Sequence, residues 1–262
     1  MNFRIEDHFE HGINPLWEVA EVGKGHVTPQ PGALWLTTEP EQHQYSNAQI
    51  ADYSYANYAF RWSPPVRMTV TARSDQPSEA LLGTAGFGFW NHPFSPDSRR
   101  LPRLPQAIWF FFSAPPSNMA LAQGVPGFGW KAATIDATQG RAKALAPLAL
   151  PAMLLMRAPA LYTRLWPRIQ SALKIEEHLL DLSLLNARHT YTLDWRVDGA
   201  TFAVDGTTVF ETNVAPRGKA GFVAWLDNQY AVVTPQGEIK FGIVPIERVQ
   251  SLILESVEIE SL

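Results

Sequence analysis

His189-Thr190-Tyr191-Thr192-Leu193-Asp194-Trp195-Arg196-Val197-Asp198-Gly199-Ala200-Thr201-Phe202-Ala203-Val204-Asp205-Gly206 is the stretch on which the fold turns. Tyr191, Leu193, Trp195 and Val197 fall on one side of an extended chain, with Thr192, Asp194 and Arg196 on the other. That period of two is the signature of a strand with one dry face. Asp198-Gly199 turns the chain, Thr201 to Val204 returns it, and Asp205-Gly206 turns it again into Thr207 to Glu211. Asp-Gly is a preferred hairpin dipeptide because such turns need positive φ.

The same grammar extends outward in both directions. Ala33 to Thr38 reads as a strand between Pro31-Gly32 and Glu39-Pro40, and Val66 to Ala72 alternates strictly, with Val66, Met68, Val70 and Ala72 on one face. Ala85 to Trp90 and Ala107 to Ser113 are apolar on both faces, as central strands covered on both sides would be. Gly221 to Leu226 is another strand, and Leu252 to Ile259 closes the chain. The hydrophobic content of 46% against 18% charged residues is that of a globular protein with a substantial core. One β-sandwich domain over residues 1–262 is the expectation.

One segment does not fit this pattern. From Ala137 to Ile175 there are six basic residues (Arg141, Lys143, Arg157, Arg164, Arg168 and Lys174) and no Asp or Glu, while the whole chain sums to −4. The segment is rich in Ala, Leu and Met and is cut by Pro147, Pro151, Pro159 and Pro167, because proline breaks a helix interior. Two or three short amphipathic helices are predicted over residues 139–186, with Leu154, Ala158, Leu161 and Leu165 as one apolar stripe and a helical rhythm running past Pro167 to Asn186.

Asp7-His8-Phe9 with Trp17, the His189-Thr190-Tyr191 to Trp195 strand, Phe202-Ala203-Val204-Asp205-Gly206 and the final Leu254 to Ile259 strand together resemble the concanavalin A-like lectin/glucanase superfamily, most closely its laminarinase-like branch, glycoside hydrolase family 16. The resemblance covers roughly residues 1–135 and 187–262. It implies an all-β jelly-roll sandwich of two antiparallel sheets, first and last strands side by side, with a binding groove on the concave face, and it leaves the helical insertion at about 139–186 unmatched. Family 16 enzymes carry Glu-x-Asp-x-x-Glu on a central groove strand, the two carboxylates lying about 5–5.5 Å apart as nucleophile and acid/base. The corresponding strand here, Gln106 to Ser113, has no carboxylate, and Glu-x-Asp occurs nowhere in the chain. A retaining glycosidase of that type is not expected.

What the scaffold offers instead is aromatic. Trp109, Phe111 and Ser113 share one face of the groove strand, and Trp90 and His92 share one face of its neighbour. Trp225-Leu226-Asp227-Asn228-Gln229-Tyr230 ends a strand with four hydrogen-bonding side chains in a row. Trp90, His92, Trp109, Phe111, Ser113, Trp225, Asp227, Asn228, Gln229 and Tyr230 are therefore the candidate ligand-binding residues, and Asp227 and His92 the candidate proton-transfer groups. The turn-forming habit of Asp-Asn is the competing reading for Asp227 and Asn228. His8, Glu10 and His11 lie close in sequence, yet a transition metal needs at least three converging ligands and no second cluster is evident. No cofactor is assigned; the resemblance allows a structural calcium near the paired termini, its ligands unassigned.

The insertion reads as a lid over the groove, an oligomer contact, a membrane-facing surface or a docked loop. The lid is preferred because the acidic body answers its basic charge. The leading functional expectation is thus a small, largely apolar ligand enclosed between groove and insertion, with chemistry on it left open; a lectin-like saccharide-binding protein is the alternative. A nucleic-acid partner is not expected, and a homodimer stays open. The N-terminus shows no secretory pattern, the longest apolar run (Ala144 to Met156) spans 13 residues with two prolines, and the chain has no Cys, so the expected location is cytoplasmic.

Overall fold

A computed structural model describes residues 3–93 and 103–262. Two antiparallel sheets face each other. The first runs β13 (Thr207–Thr212), β12 (Ala200–Val204), β11 (His189–Trp195), β6 (Val66–Ser74), β17 (Gln250–Ser261), β4 (Ala33–Thr38) and β3 (Gly25–Gln30), with β1 (Arg4–Asp7) also paired to β17. First and last strands lie side by side, Ile5 opposite Ile259, as expected. The second runs β10 (Glu176–Leu179), β9 (Gly129–Asp136), β8 (Gln106–Ser113), β7 (Thr84–Trp90), β14 (Gly221–Asp227), β5 (Asn47–Ala51) and β2 (Glu18–Val22). A small hairpin of β15 (Gln229–Val233) and β16 (Ile239–Ile243) stands apart from both.

The His189 to Gly206 stretch shows why it is so informative. Asp205 (φ +48°) and Gly206 (φ +77°) supply the left-handed pair that the β12–β13 turn requires. The Asp205 carboxylate accepts from the Thr190 amide at 2.9 Å and meets His189 Nδ1 at 2.5 Å, tying that turn back to the start of β11. On the dry side, Tyr191, Leu193 and Trp195 enter the core.

That core is a layer of rings. Tyr191 lies 5.1–5.6 Å from Phe87, Phe110 and Trp130 across the sandwich, and Phe89 lies 5.3 Å from Trp195. Tilted and edge-on pairs of this kind add roughly 0.5–1.5 kcal/mol each beyond area burial. Several buried polar groups around this core are pinned: Trp195 Nε1 donates to Pro216 O, and Trp62 Nε1 and the Phe222 amide both donate to Asp52. Burial nonetheless raises the Asp52 carboxyl to about 6.

Between β9 and β10 the chain forms α1 (Gly140–Leu145), α2 (Ala149–Leu155) and α3 (Pro159–Ala172). Three expectations need correcting here. The helical rhythm after Pro167 does not run to Asn186, because Glu176–Leu179 pairs with β9 as an edge strand, where backbone hydrogen bonding to the sheet overrides local propensity. Pro167 does not end a helix but sits inside α3, which starts with Pro159 in its first turn, where the missing N–H costs nothing. Leu154 and Ala158 do not continue into one stripe with Leu161 and Leu165, since the helix breaks between Leu155 and Pro159 and Leu154 is exposed. The inward face is Tyr162, Leu165, Trp166, Ile169 and Leu173, which packs with Ala122, Met156 and Ile175 into a second, smaller apolar cluster.

Pro167 is solvent-exposed and deprives α3 of one interior hydrogen bond. Replacing it with Ala restores an N–H within reach of the Thr163 carbonyl and removes the ring clash. Pro167→Ala is expected to stabilise the protein by roughly 1–3 kcal/mol, read as a raised thermal midpoint. An unchanged or lowered midpoint would show that the proline geometry is needed to dock α3.

Candidate functional site

The period of two that sends Phe87, Phe89, Ile108, Phe110 and Phe112 inward sends their alternates to the outer face of the seven-stranded sheet. There the register aligns Trp225, Gly86 and Phe111 across β14, β7 and β8, and beside them Val223, Gly88 and Trp109. The two glycines decide what happens next. A Cβ on Gly86 would approach Trp225 Cη2 to 3.0 Å, and one on Gly88 would sit 2.4 Å from Trp109 Cβ. Without those side chains, rings from the two flanking strands converge over β7: Trp109 lies 5.3 Å from Trp225 and 5.4 Å from Phe111, and Trp90 extends the row at 6.0 Å from Trp109. Trp90, Trp109 and Phe111 are half-buried, whereas Trp225 is almost covered.

Polar groups gather at the edges of this row. Trp90 Nε1 donates to Tyr53 Oη at 2.6 Å, and Tyr53 Oη contacts His92 Nδ1 at 2.9 Å. His92, at φ +44°, turns its ring against Trp90 (4.6 Å), Tyr58 (4.9 Å) and Tyr55 (5.7 Å) instead of extending the strand. Burial lowers the His92 pKa to about 4, so the imidazole is neutral at physiological pH. Gln49 Nε2 on β5 donates to Tyr55 Oη at 2.6 Å in the loop that follows, and burial pushes the Tyr55 phenol up to about 12. Sequence reasoning passed over Gln49, Tyr53, Tyr55 and Tyr58, although Tyr53-Ser54-Tyr55-Ala56-Asn57-Tyr58 was a visible signal.

The end of β14 behaves differently from expectation. Asp227 is buried, and its oxygens accept from Thr84 Oγ1 (2.8 Å), the Gln229 amide (3.1 Å) and Tyr45 Oη (3.2 Å). Thr84 Oγ1 in turn accepts from Trp225 Nε1 at 2.9 Å, so Asp227 holds the threonine that holds the indole. Desolvation raises Asp227 to about 6 against those hydrogen bonds. Asn228 is wholly buried and spent on backbone, accepting from the Ser46 amide and donating to Gln44 O, so it is a loop pin and not a ligand-facing group. Ser113 is buried as well, while Gln229 and Tyr230 leave the row on β15. Trp90, His92, Trp109, Phe111 and Trp225 thus come together, and Ser113, Asn228, Gln229 and Tyr230 do not join them.

On the far side of Phe111 the face is closed. Lys131, opposite Phe111, is buried with its Nζ 3.4 Å from Glu177 Oε2 and 3.4 Å from Met119 O. Burial lowers the lysine and raises the glutamate, and the ion pair opposes both shifts. Glu177 also accepts from the Ala122 amide, and Trp166 of α3 donates to Leu121 O. Loop 119–125 and the insertion therefore close over Lys131 of β9 and Glu177 of β10, against the flank of the aromatic row.

Near the N-terminus the extended segment ends at Asp7, and Phe9 takes φ +54° and buries its ring. His8 meets Glu6 at 3.2 Å, close to Glu258 at the paired termini. Arg4 already spans Glu6 (2.8 Å) and Glu258 (3.5 Å). One imidazole and two neutralised carboxylates do not suit calcium, which wants oxygen ligands in number.

No protein-family profile matches the chain, and no curated protein does. Among solved structures, a protein described as an immunostimulatory antigen and pseudo β-1,3-glucanase of Mycobacterium tuberculosis superposes at TM-score 0.56 with 11% identity, each chain covered to 98%. The fold is that of the concanavalin A-like lectins and glucanases. A β-1,3-1,4-glucanase (lichenase) from a mouse hindgut metagenome superposes on this chain at 0.55, with 10% identity and 99% of each chain covered. An endo-acting O-glycanase of the human gut microbiota does so at 0.54, with 11% identity and 98% of each covered. Among the described residues no helix is long and apolar enough to cross a membrane.

Asp227 yields a pH prediction with a definite sign. Its folded pKa of about 6 stands above the ordinary 3.8, so the folded state holds the proton longer than the unfolded chain. Stability from this group is full below about pH 4 and falls as pH rises through 6. Asp227→Asn keeps the acceptor for Thr84 and does not titrate. Its stability relative to wild type is expected to rise by on the order of 2–3 kcal/mol between pH 4 and 7, read from thermal or denaturant unfolding at both pH values. Parallel pH profiles would show that Asp227 titrates normally.

Proposed function

We propose that the outer face of the seven-stranded sheet binds a saccharide, stacking a sugar ring on the Trp90–Trp109–Phe111–Trp225 row, and does not hydrolyse it. The observation that carries this reading is the convergence of half-exposed rings over Gly86 and Gly88, edged by Gln49, Tyr55 and His92. A pyranose offers a C–H face to a flat ring and hydroxyls to its rim, and an apolar floor with polar margins matches both demands. The glycan-directed names of the structural neighbours support the same class of ligand, and one of them is itself called a pseudo-glucanase.

The non-hydrolytic half rests on where the carboxylates are. Retaining hydrolysis needs two of them flanking the bond. The outward residues of β8 are Ala107, Trp109, Phe111 and Ser113. Of the acids pointing to this face from neighbouring strands, Asp227 is spent on Thr84 and Tyr45, and Glu177 on Lys131 and the Ala122 amide, which leaves the exposed Glu18 of the edge strand β2 as a single carboxylate and not a pair. An enclosed, largely apolar ligand is the second reading, favoured only by the closure of loop 119–125 and the insertion over Lys131 and Glu177. It ranks lower because the insertion stops at the flank and Trp90, Trp109 and Phe111 keep part of their surface.

Titration of the full chain with β-1,3-, mixed β-1,3-1,4- and mucin-type oligosaccharides, followed by calorimetry and tryptophan fluorescence, tests both halves. Binding to at least one class is expected, with Trp109→Ala weakening it at least tenfold at unchanged fold, and no new reducing ends on prolonged incubation. Absence of binding to every class, or an unaffected Trp109→Ala, would overturn the saccharide site; accumulating reducing ends would overturn the non-hydrolytic half.

A further inference from the structure

We propose that the insertion is an attachment surface for anionic membranes, with the tip around α2 as the apolar contact and the surrounding arginines and lysines as the electrostatic collar. No residue of α2 is buried. Leu148, Leu150, Leu154 and Leu155 are 58%, 75%, 61% and 52% exposed, four large apolar side chains within eight residues of chain. Core-forming residues of the same insertion, Trp166 and Met156 among them, are tucked into the second cluster, so the exposure is local to this tip. Met153 braces the tip from behind, packing against Gly237 in the β15–β16 turn, where an added Cβ would lie 3.2 Å away.

The charge around the tip selects the occupant. All six charged residues from Ala137 to Ile175 are cationic, and among the described residues none of the six forms an ion pair. Arg157, Arg164 and Arg168 are exposed on the segment that leads away from α2. A second copy meeting this face about a two-fold axis would bring the same cations together, since an isologous interface apposes a surface with itself. An anionic lipid surface answers both features at once: leucines enter the acyl boundary while long basic side chains reach headgroups. Each basic residue near such a surface contributes roughly fivefold in partitioning.

Flotation of the full-length protein with large unilamellar vesicles tests the assignment. Vesicles of phosphatidylcholine with 30% phosphatidylglycerol, at about 0.1 M salt, are expected to carry the protein at least tenfold better than phosphatidylcholine alone, and raising the salt to about 0.5 M should remove most of that preference. Leu150→Glu with Leu154→Glu, and separately Arg157→Gln with Arg164→Gln and Arg168→Gln, should each lower partitioning at least tenfold, with thermal melts confirming that the variants fold. Equal recovery on both vesicle types, or variants that float as well as wild type, would overturn the proposal. Sedimentation velocity separates the remaining occupant: self-association abolished by the leucine variant, without vesicle binding, would assign the tip to a second copy and overturn the membrane reading. If a variant fails to fold, the wild-type comparison of lipid composition and salt still decides.

Discussion

The strict alternation of side chains in β7 and β8 is the constraint from which both core and site follow. Phe87, Phe110 and Trp130 meet Tyr191 on the inner side, and that contact fixes which residues can face outward. A slip of one residue in β8 would send Ile108, Phe110 and Phe112 into water and Trp109 and Phe111 into the core. The aromatic row is therefore the reverse side of the packing that holds the sandwich together. Its position is protected by the energy of the whole ring layer, not by local contacts alone.

Glycine completes what alternation begins. Were β7 to carry side chains at residues 86 and 88, the neighbouring rings would be held apart over the strand between them. With bare backbone there, β8 and β14 lend Trp109, Phe111 and Trp225 to one surface. Thr84 then orients the indole of Trp225, and Asp227 orients Thr84. A carboxylate that sequence reasoning offered as a proton acceptor works here as the end of a positioning chain. Burial leaves it little freedom to do otherwise.

What was legible in the sequence divides along physical lines. Alternation, Asp-Gly turns and the His189-Thr190-Tyr191 strand are local features, and they located the central strands, so Trp90, Trp109 and Trp225 could be named as candidates although both faces of β7 and β8 read as apolar. Asn228 and Ser113 were not separable from the site, because only tertiary packing determines that a polar side chain at a strand end is buried against backbone. Glu176–Leu179 was read as helix because its surroundings are helix-prone, yet an open sheet edge at β9 captured it. The tyrosines at 53, 55 and 58 lie in a loop, where no periodicity reports which way a ring points.

Charge burial argues for how this face is used. Asp52, Asp227, Glu177 and Lys131 all sit in desolvated positions, and each is satisfied by partners within the protein. Breaking such a buried pair by removing one partner is costly, so these groups are committed to structure before any ligand arrives. Around the aromatic row the described residues left with spare surface are rings and neutral hydrogen-bonding groups, Trp109, Phe111, Trp90, Tyr55, Gln49 and the uncharged imidazole of His92, with Glu18 of the edge strand β2 the one exposed carboxylate beyond them. Such a set recognises shape and polarity but supplies no pair of carboxylates in complementary protonation states, which splitting a glycosidic bond by two-carboxylate chemistry requires. On this face the buried ionisable groups Asp227, Glu177 and Lys131 are given to holding the aromatic row and its flank in place.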